Sequence, residues 1–474
     1  MNGPDRSVGA IVLAAGAGSR FGGAKLEARV DGKPVLQHVL DALAAAGIDD
    51  PVVVTAGPLT AEIEWGAARP VTNPEPGRGL ASSLQVGWDA AMDGAGPPDA
   101  VIVALGDQPL VRADVLAALI AAPLDATRPI VAPRYAATGA RNPVRLERDV
   151  APLVEAAEGD RGLGPILDDR PELVRWLDID GDNPDIDTLA DLAHVAELAW
   201  AHRVRRNREQ VDRFREEPDG KDFYASVSSI FRDDPDRQGD PVLDALRAHA
   251  RPTDTWLDIG AGAGRYALPL ARVVREVVAL DPSPGMLEAL QAAMGDHGIE
   301  NVRVVPGRWP EALAHDGQLA KVAPVDVALI AHVGYDVEAI GPFLDAMERV
   351  ASRECLAVLM ERSPAMIAEP FWPPLHGEAR IALPGLPAFV DLLRARGRDP
   401  EVTMLESSRR RWGSRDEVES YVRRQTWVAP GTAKDKRMQA LLDEWLVRGE
   451  DGLVELSVAE PLRVGLVAWR PTSA

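Results

Sequence analysis

Short apolar runs alternate with Ala- and Leu-rich amphipathic stretches along most of this chain, and the alternation stops once and then starts again. That pattern predicts strands and covering helices in a doubly wound α/β arrangement, formed twice. In the first half the strand candidates are "GAIVLAA", "PVVVTA", "DAVIVALGD" and "PIVAP", with helices such as "PVLQHVLDALAAAG" and "RADVLAALIAA" between them, so a parallel sheet is expected. In the second half they are "DTWLDIGAG", "REVVALD", "NVRVVPG", "VDVALIAH" and "ECLAVLME". Between Ala193 and Tyr224 the text is helical in period, then charged, then broken by Pro218 and Gly220. The expected organisation is one domain over residues 1–195, a helical charged linker over 196–219 and a second domain over 220–474.

Charge and composition narrow the function classes. Lys and Arg number 52 against 73 Asp and Glu, a net charge of −21. Such a balance repels nucleic acid and anionic lipid at long range, so anionic small-molecule substrates need local basic pockets. The single cysteine, Cys355, rules out an internal disulfide framework and a cysteine zinc site, and within "ECLAVLM" it reads as a small buried hydrophobe. "MNGPDRSVGA" lacks the features of a signal peptide, and no apolar run approaches the roughly 18 residues of a membrane span. The expectation is a cytoplasmic protein with small-molecule partners and no nucleic-acid or membrane partner.

The stretch "LAAGAGSRFGGAK", Leu13 to Lys25, follows the first strand. A glycine-rich turn after a strand lets backbone N–H groups converge on a phosphate. A Walker loop needs Lys directly after its last Gly and then Ser or Thr, whereas Lys25 follows Ala24 and precedes Leu26. A dinucleotide loop would place Gly where Phe21 stands. What remains is a loop whose Gly16 and Gly18 approach a nucleotide while Arg20 and Lys25 grip its triphosphate. Asp107 ends an apolar strand, at the edge where doubly wound sheets bind ligands, and is the first candidate metal ligand.

This stretch resembles the opening of the nucleotidylyltransferase superfamily. "DGKPVLQHVLDAL", "NPEPGRGLASSLQVG", "LGDQPLV", "RNPVRLER", "EGDRGLGPIL" and "DIDTLADL" extend the likeness, in family order, to the molybdenum-cofactor cytidylyltransferases over roughly residues 8–195. The resemblance implies CTP as substrate, molybdopterin cofactor as acceptor, magnesium as cofactor, and a molybdoenzyme client or chaperone as a further partner. It implies catalytic roles for Arg20, Lys25 and Asp107, and Asp187 as a second metal ligand with Asp185 as its rival; a helix N-cap is the other reading of Asp187. Base recognition is implied near Ala14, Ala15, Thr55 and the segment from Gly79 to Ser82 and Ser83, the serines serving as helix caps, as nucleotide contacts or as both. Leu-Ala-Ala-Gly accompanies cytosine nucleotides in the family, so Ala15 favours CTP. Asn142 stands where the family often has His, a departure on the pterin side.

"WLDIGAGAGRYALPLA" is a second glycine loop, with Gly260, Gly262 and Gly264 alternating and Arg265 where a dinucleotide fingerprint would have Gly. With Asp258 before it and Asp281 closing the next strand, the half from about 220 to 474 resembles class I S-adenosylmethionine-dependent methyltransferases. The resemblance implies S-adenosylmethionine as methyl donor, Asp281 on its ribose hydroxyls, Asp258 toward its amino group, and Gly307 at the adenine end. Trp309 is read either as an adenine stack or as packing. His332 and Tyr335, beyond the fourth strand, either orient an acceptor or serve the structure.

Two Rossmann-like domains, a nucleotidylyltransferase fold followed by a class I methyltransferase fold, are thus expected in one bifunctional transferase. The alternatives are a nucleotidylyltransferase for another acceptor, such as a sugar phosphate or phospholactate, and a second domain that senses S-adenosylmethionine without catalysis.

Overall fold

Val- and Ile-rich runs become the inner strands of two separate seven-stranded sheets. The computed structural model describes residues 7–16, 18, 20–59, 63–93, 96–123, 125–216, 233–314, 319, 324–405, 409–461 and 463–471. The chain divides into two compact units, Met1–Ala196 and Glu197–Ala474.

The first unit runs β1 (Val8–Ala14), the short pair β2 (Arg29–Val30) and β3 (Lys33–Pro34), α1 (Val35–Ala45), β4 (Val52–Thr55), β5 (Arg69–Thr72) and α2 (Leu80–Met92). It continues with β6 (Ala100–Leu105), α3 (Ala113–Ala121), β7 (Ile130–Tyr135), β8 (Val144–Glu147), α4 (Ala151–Glu155), α5 (Gly164–Asp169) and β9 (Val174–Ile179). The sheet order is β5-β4-β1-β6-β8-β7-β9. Along β1, Ile11 and Leu13 face one core with Leu84 and Trp88 of α2, and Ala10 and Val12 face the other with Leu36 and Leu40 of α1. This alternation is what a strand buried on both faces requires.

The sheet is not wholly parallel, contrary to expectation: β8 runs antiparallel to both β6 and β7. Its sequence "VRLE" hides it, because two of its four buried residues are charged. Arg145 donates to the carbonyls of Leu119 (3.0 Å), Ala122 and Pro123 (3.3 Å), at the carboxyl end of α3, and pairs with Glu147 at 3.3 Å. The strand carries a buried cation because the last carbonyls of α3 need donors.

The α6 helix (Leu189–Phe214) begins in the first unit and ends in the second. Within the second unit its Trp200 and Val204 are buried, and Trp200 donates to the Val337 carbonyl at 2.9 Å. The stretch expected as a linker is therefore helical through Phe214 and counts from Glu197 with the second unit; its residues 217–219, and 220–232 after them, lie outside the described residues.

The second unit continues with α7 (Pro241–His249), β10 (Thr255–Ile259), α8 (Ala267–Ala271), β11 (Glu276–Asp281), α9 (Pro284–His297), β12 (Val302–Pro306), β13 (Val325–Ala331) and α10 (Ile340–Val350). Then come β14 (Ala351–Met360), α11 (Trp372–His376), α12 (Leu386–Ala395), β15 (Glu401–Leu405), α13 (Arg415–Thr426), α14 (Ala433–Trp445), the pair β16 (Leu446–Arg448) and β17 (Val454–Leu456), and β18 (Val464–Trp469). The order β12-β11-β10-β13-β14-β18-β15 is parallel except for β18. Among the described residues no helix is long and apolar enough to cross a membrane.

Replacing Arg145 by Ala leaves the buried Glu147 with only the Asp125 N–H (3.1 Å) and the α3 carbonyls without the guanidinium. The expected cost to the first unit is about 3 kcal/mol, the low end for breaking a buried ion pair. Denaturant unfolding of the full chain measures it, and an unchanged transition would refute this role.

Candidate active sites

In each unit the parallel strands bring their carboxyl ends to one edge. In the first sheet Ala14 lies level with Thr55, and Leu13 with Leu105, so the loops after β1, β4 and β6 meet. The turn after β1 closes on itself through Phe21 N and Gly22 N, both donating to the Gly18 carbonyl (3.0 and 3.1 Å). It delivers Lys25, which is 8% exposed, to the end of β6. There its ammonium binds Asp107 Oδ2 at 2.6 Å and Asp187 Oδ1 at 3.2 Å. Burial opposes the Lys25 charge, but these two carboxylates outweigh it and hold the ammonium above its ordinary value.

Backbone geometry fixes the second carboxylate. Ile186 N donates to the Asp107 carbonyl at 3.1 Å, which ties the "DIDT" segment to the end of β6. Asp187 is not the cap of α6. Thr188 Oγ1 accepts from Asp191 N (3.2 Å) while Asp191 Oδ2 accepts from Thr188 N (2.7 Å), a reciprocal capping box that leaves the Asp187 carboxylate for Lys25. Asp107 Oδ1 is buried and has no hydrogen-bond partner among the described residues.

Around this centre, Ala14, Ala15, Thr55, Ser82 and Ser83 are buried, and Arg20 is exposed. Neither serine caps α2, whose N-cap is Gly79. Ser82 and Ser83 instead accept from Asn73 Nδ2 at 2.9 and 3.0 Å, and Ser82 donates to the Gly79 carbonyl at 2.9 Å. Gly79 has φ +93°, and a Cβ there would fall 2.4 Å from Asp160 Oδ1 and 2.6 Å from the carbonyl carbon of Gly159, so no larger residue fits. Gly16, by contrast, has open space around it.

A cavity of about 340 Å³ opens beside β1 and β6, lined by Leu13, Leu80, Leu105, Arg141, Asn142 and Arg161 among others. Asp168 holds both cations, Arg141 at 2.6 Å and Arg161 at 3.0 Å. Sequence reasoning quoted the segments that carry these arginines without singling them out. Their signal was charge in loops that a doubly wound sheet brings to its ligand edge.

In the second unit the glycine loop after β10 is fastened to the next strand. Gly260 N and Ala261 N donate to the Leu280 carbonyl (2.8 and 3.0 Å), and Gly262 N donates to Asp281 Oδ2 at 2.9 Å. Asp281 Oδ1 accepts from Ser283 N at 2.8 Å, so one carboxylate sets both turns. Gly264 has φ +90°, and a Cβ there would lie 2.4 Å from Leu290, which explains a glycine at that position. Asp258 is 3% exposed at the end of β10; burial, reinforced by the charge of Asp281, pushes its carboxyl up to about 7.

Gly307 N donates to the Asp281 carbonyl at 3.1 Å. Trp309 spends its Nε1 on the Phe343 carbonyl (3.1 Å) and meets the Phe343 ring edge-on at 6.3 Å, a packing arrangement. The Tyr335 hydroxyl accepts from Met360 N at 2.7 Å and so serves the backbone of β14. His332 differs: it sits at φ +59°, its ring 6.4 Å from that of Tyr266, with a buried Nδ1 that has no partner among the described residues. Burial and the nearby Arg265 push its imidazole down to about 4, so it is neutral at pH 7.

Comparison with known proteins follows the same division. Residues 10–174 match the family model described as the MobA-like NTP transferase domain, and residues 257–367 match that of a methyltransferase domain. The bifunctional protein GlmU of Parvibaculum lavamentivorans is 38% identical over 123 residues, 23% of this chain and 25% of that protein. A protein-L-isoaspartate O-methyltransferase of Methanoregula boonei is 30% identical over 117 residues, 23% of this chain and 54% of that protein. The chain therefore spans about a quarter and about half of these relatives' lengths. Among solved structures, Rv0371c from Mycobacterium tuberculosis is 27% identical with a TM-score of 0.36, covering 40% of this chain and 98% of that one. The first unit carries a MobA-like NTP transferase domain and the second a methyltransferase domain.

Burial of Asp258 makes the stability of the second unit depend on pH. The native state keeps a proton that the unfolded chain loses near pH 4, so stability is greatest at low pH and erodes as pH rises through about 7. Asp258→Asn removes that erosion. Its second unit is expected to melt higher than the wild type at pH 8 and to converge with it near pH 4; parallel melting curves across that range would contradict the assignment.

Proposed function

We propose that the first unit transfers a cytidylyl group from CTP to molybdopterin cofactor with release of pyrophosphate, and that the second transfers a methyl group from S-adenosylmethionine to a small acceptor. The observation that carries the first half is the buried Lys25 ammonium held between Asp107 and Asp187 at the carboxyl end of β6. An acceptor phosphate oxygen attacks the α-phosphorus, and the bond to the pyrophosphate oxygen breaks. Both groups are anions, so no proton has to move and catalysis reduces to positioning and charge.

Lys25 binds the α-phosphate oxygens as charge gathers there, and the exposed Arg20 meets the outer phosphates. Arg141 and Arg161 anchor the acceptor phosphate in the 340 Å³ cavity. The donor set suits magnesium: Asp107 and Asp187 present hard carboxylate oxygens, one of them the partnerless Asp107 Oδ1. Bound there, the ion supplies charge neutralisation on the α-phosphate and on the leaving pyrophosphate. Ala14, Ala15 and Thr55, buried at the strand edge, carry the preference for cytosine that the "LAAG" opening implies.

In the second unit Asp281, already aimed by Gly262 N and Ser283 N, accepts the ribose hydroxyls, and the loop from Gly260 to Gly264 passes the methionyl end. A lone pair of the acceptor forms a bond to the methyl carbon as the sulfur–carbon bond breaks; the sulfonium becomes a neutral thioether, and an N–H or O–H acceptor gives its proton to solvent. Alignment carries this displacement more than acid–base help does.

With magnesium and molybdopterin cofactor, pyrophosphate release is expected with CTP and not with GTP, and Asp107→Asn is expected to lower it roughly a hundredfold or more. Release with GTP alone would overturn the base assignment, and release with a sugar phosphate or phospholactate in place of molybdopterin would overturn the acceptor. Asp281→Ala is expected to weaken S-adenosylmethionine binding at least tenfold in calorimetric titration while leaving CTP turnover unchanged; undiminished binding would refute the role of Asp281.

A further inference from the structure

Two segments leave the carboxyl edge of the second sheet and return to it. Met360 at the end of β14, Leu405 at the end of β15 and Val464 at the start of β18 lie level with one another, so the described residues 361–385 and 409–461 both belong to the edge that holds the glycine loop. Together they build a cap with its own core, in which Ile367 and Phe371 meet Val418, Tyr421 and Leu442.

The cap treats its arginines in two ways. Arg409, Arg411, Arg415 and Arg423 each pair with an acid. Arg410 does not. It lies half-buried with its guanidinium 5.4 Å from the Trp412 ring centre and 4.7 Å from that of Tyr421, and it has no carboxylate within ion-pair distance among the described residues. Arg380 is similar: it stacks 4.8 Å from the Trp372 ring centre, gives one hydrogen bond to the Ala365 carbonyl at 3.0 Å, and pairs with no acid among the described residues. Tyr421, whose ring carries Arg410, donates to the Pro364 carbonyl at 2.6 Å, and Arg380 donates to the next carbonyl, Ala365, so the two cations are linked through one turn.

In a chain with 21 more acids than bases, two half-buried guanidiniums with no acid among the described residues call for a physical reason. The nearby carboxylates are engaged elsewhere, Glu369 by Arg362 and Glu417 by Gly413 N at 3.0 Å. Four donor-only nitrogens of the cap, Arg380 Nε, Arg423 Nη1, Trp372 Nε1 and Trp412 Nε1, are buried with no acceptor among the described residues. Such groups are costly unless something brings oxygen atoms to them. Arg265, next after Gly264 on the donor loop, exerts its charge on both His332 and Arg410, so Arg410 is the cap cation that faces that loop's charge.

We propose that the cap selects the methyl acceptor of the second unit by binding an oxyanion of a small molecule, a carboxylate or a phosphate, between Arg410 and Arg380. The inference rests on the methyltransferase reading for its purpose and on the cap alone for its chemistry. A planar guanidinium fork binds either oxyanion with two hydrogen bonds, and aromatic stacking keeps it oriented before the anion arrives. The acceptor is accordingly an anionic metabolite, in keeping with a chain whose overall charge would otherwise repel it.

Calorimetric titration of the full chain with sodium benzoate and with inorganic phosphate, each in the presence and absence of S-adenosylhomocysteine, tests this. At least one of the anions is expected to bind the wild type tenfold or more tightly than it binds Arg410→Gln, and likewise Arg380→Gln, with S-adenosylhomocysteine affinity unchanged within twofold. Benzoate as the sensitive probe identifies a carboxylate acceptor, and phosphate a phosphorylated one. Should Arg410→Gln also lose S-adenosylhomocysteine, Arg410→Lys, which keeps the charge and loses the fork, takes its place with the same expected drop. Equal binding of both anions to wild type and variants, through the first unit or through none, overturns the proposal. Failure of the wild type to bind S-adenosylhomocysteine sinks the methyltransferase reading instead, while the anion arms run without it still score the cap.

Discussion

Parallel strands in register bring their carboxyl ends to one edge, and each candidate site of this chain is a consequence of that constraint. The Leu13–Leu105 and Ala14–Thr55 levels in the first sheet, and the Ile259–Ile330 level in the second, bring loops from distant sequence within a side chain's length. Lys25 reaches Asp107 and Asp187 across 82 and 162 residues of chain by this route. The interiors of Val, Ile and Leu exist to hold the edges steady, and the chemistry is carried by what protrudes past them.

The two units use that edge in opposite electrostatic ways. The first concentrates charge, with a buried ammonium between carboxylates and two arginines shared by Asp168, as suits the handling of phosphates. The second spends its one well-placed carboxylate on backbone: Asp281 accepts from Gly262 N and Ser283 N and thereby shapes the loop before any ligand arrives. Phosphoryl chemistry needs countercharge, and methyl transfer needs alignment.

Legibility followed burial. Inner strands such as "AVIVAL" are apolar throughout because both faces are covered, and their boundaries can be read within a residue or two. Outer and reversed strands were not legible. β5 is "RPVT" with its residues mostly exposed, β15 is half exposed, and β8 carries buried Arg145 and Glu147, so none displays the apolar run of a covered strand. Among the site residues, Lys25, Asp107 and Asp281 stood out because each sits at a glycine turn or a strand end, and Asp187 through the family resemblance alone. Arg141, Arg161, Arg380 and Arg410 did not, since an arginine in a loop looks alike whether it meets an acid, a ring or a ligand.

By itself the sequence determined that two doubly wound units would form and where their glycine loops would lie, because hydrophobic period and backbone freedom are local properties. Only the tertiary structure decided that Thr188 and not Asp187 caps α6, that Ser82 and Ser83 serve Asn73, that Trp309 packs on Phe343, and that Arg410 stacks on Tyr421. Those outcomes turn on which of several available partners each polar group or ring meets, and a linear sequence offers the candidates without the geometry that chooses among them, whether they lie three residues away, as for Thr188 and Asp191, or 34, as for Trp309 and Phe343.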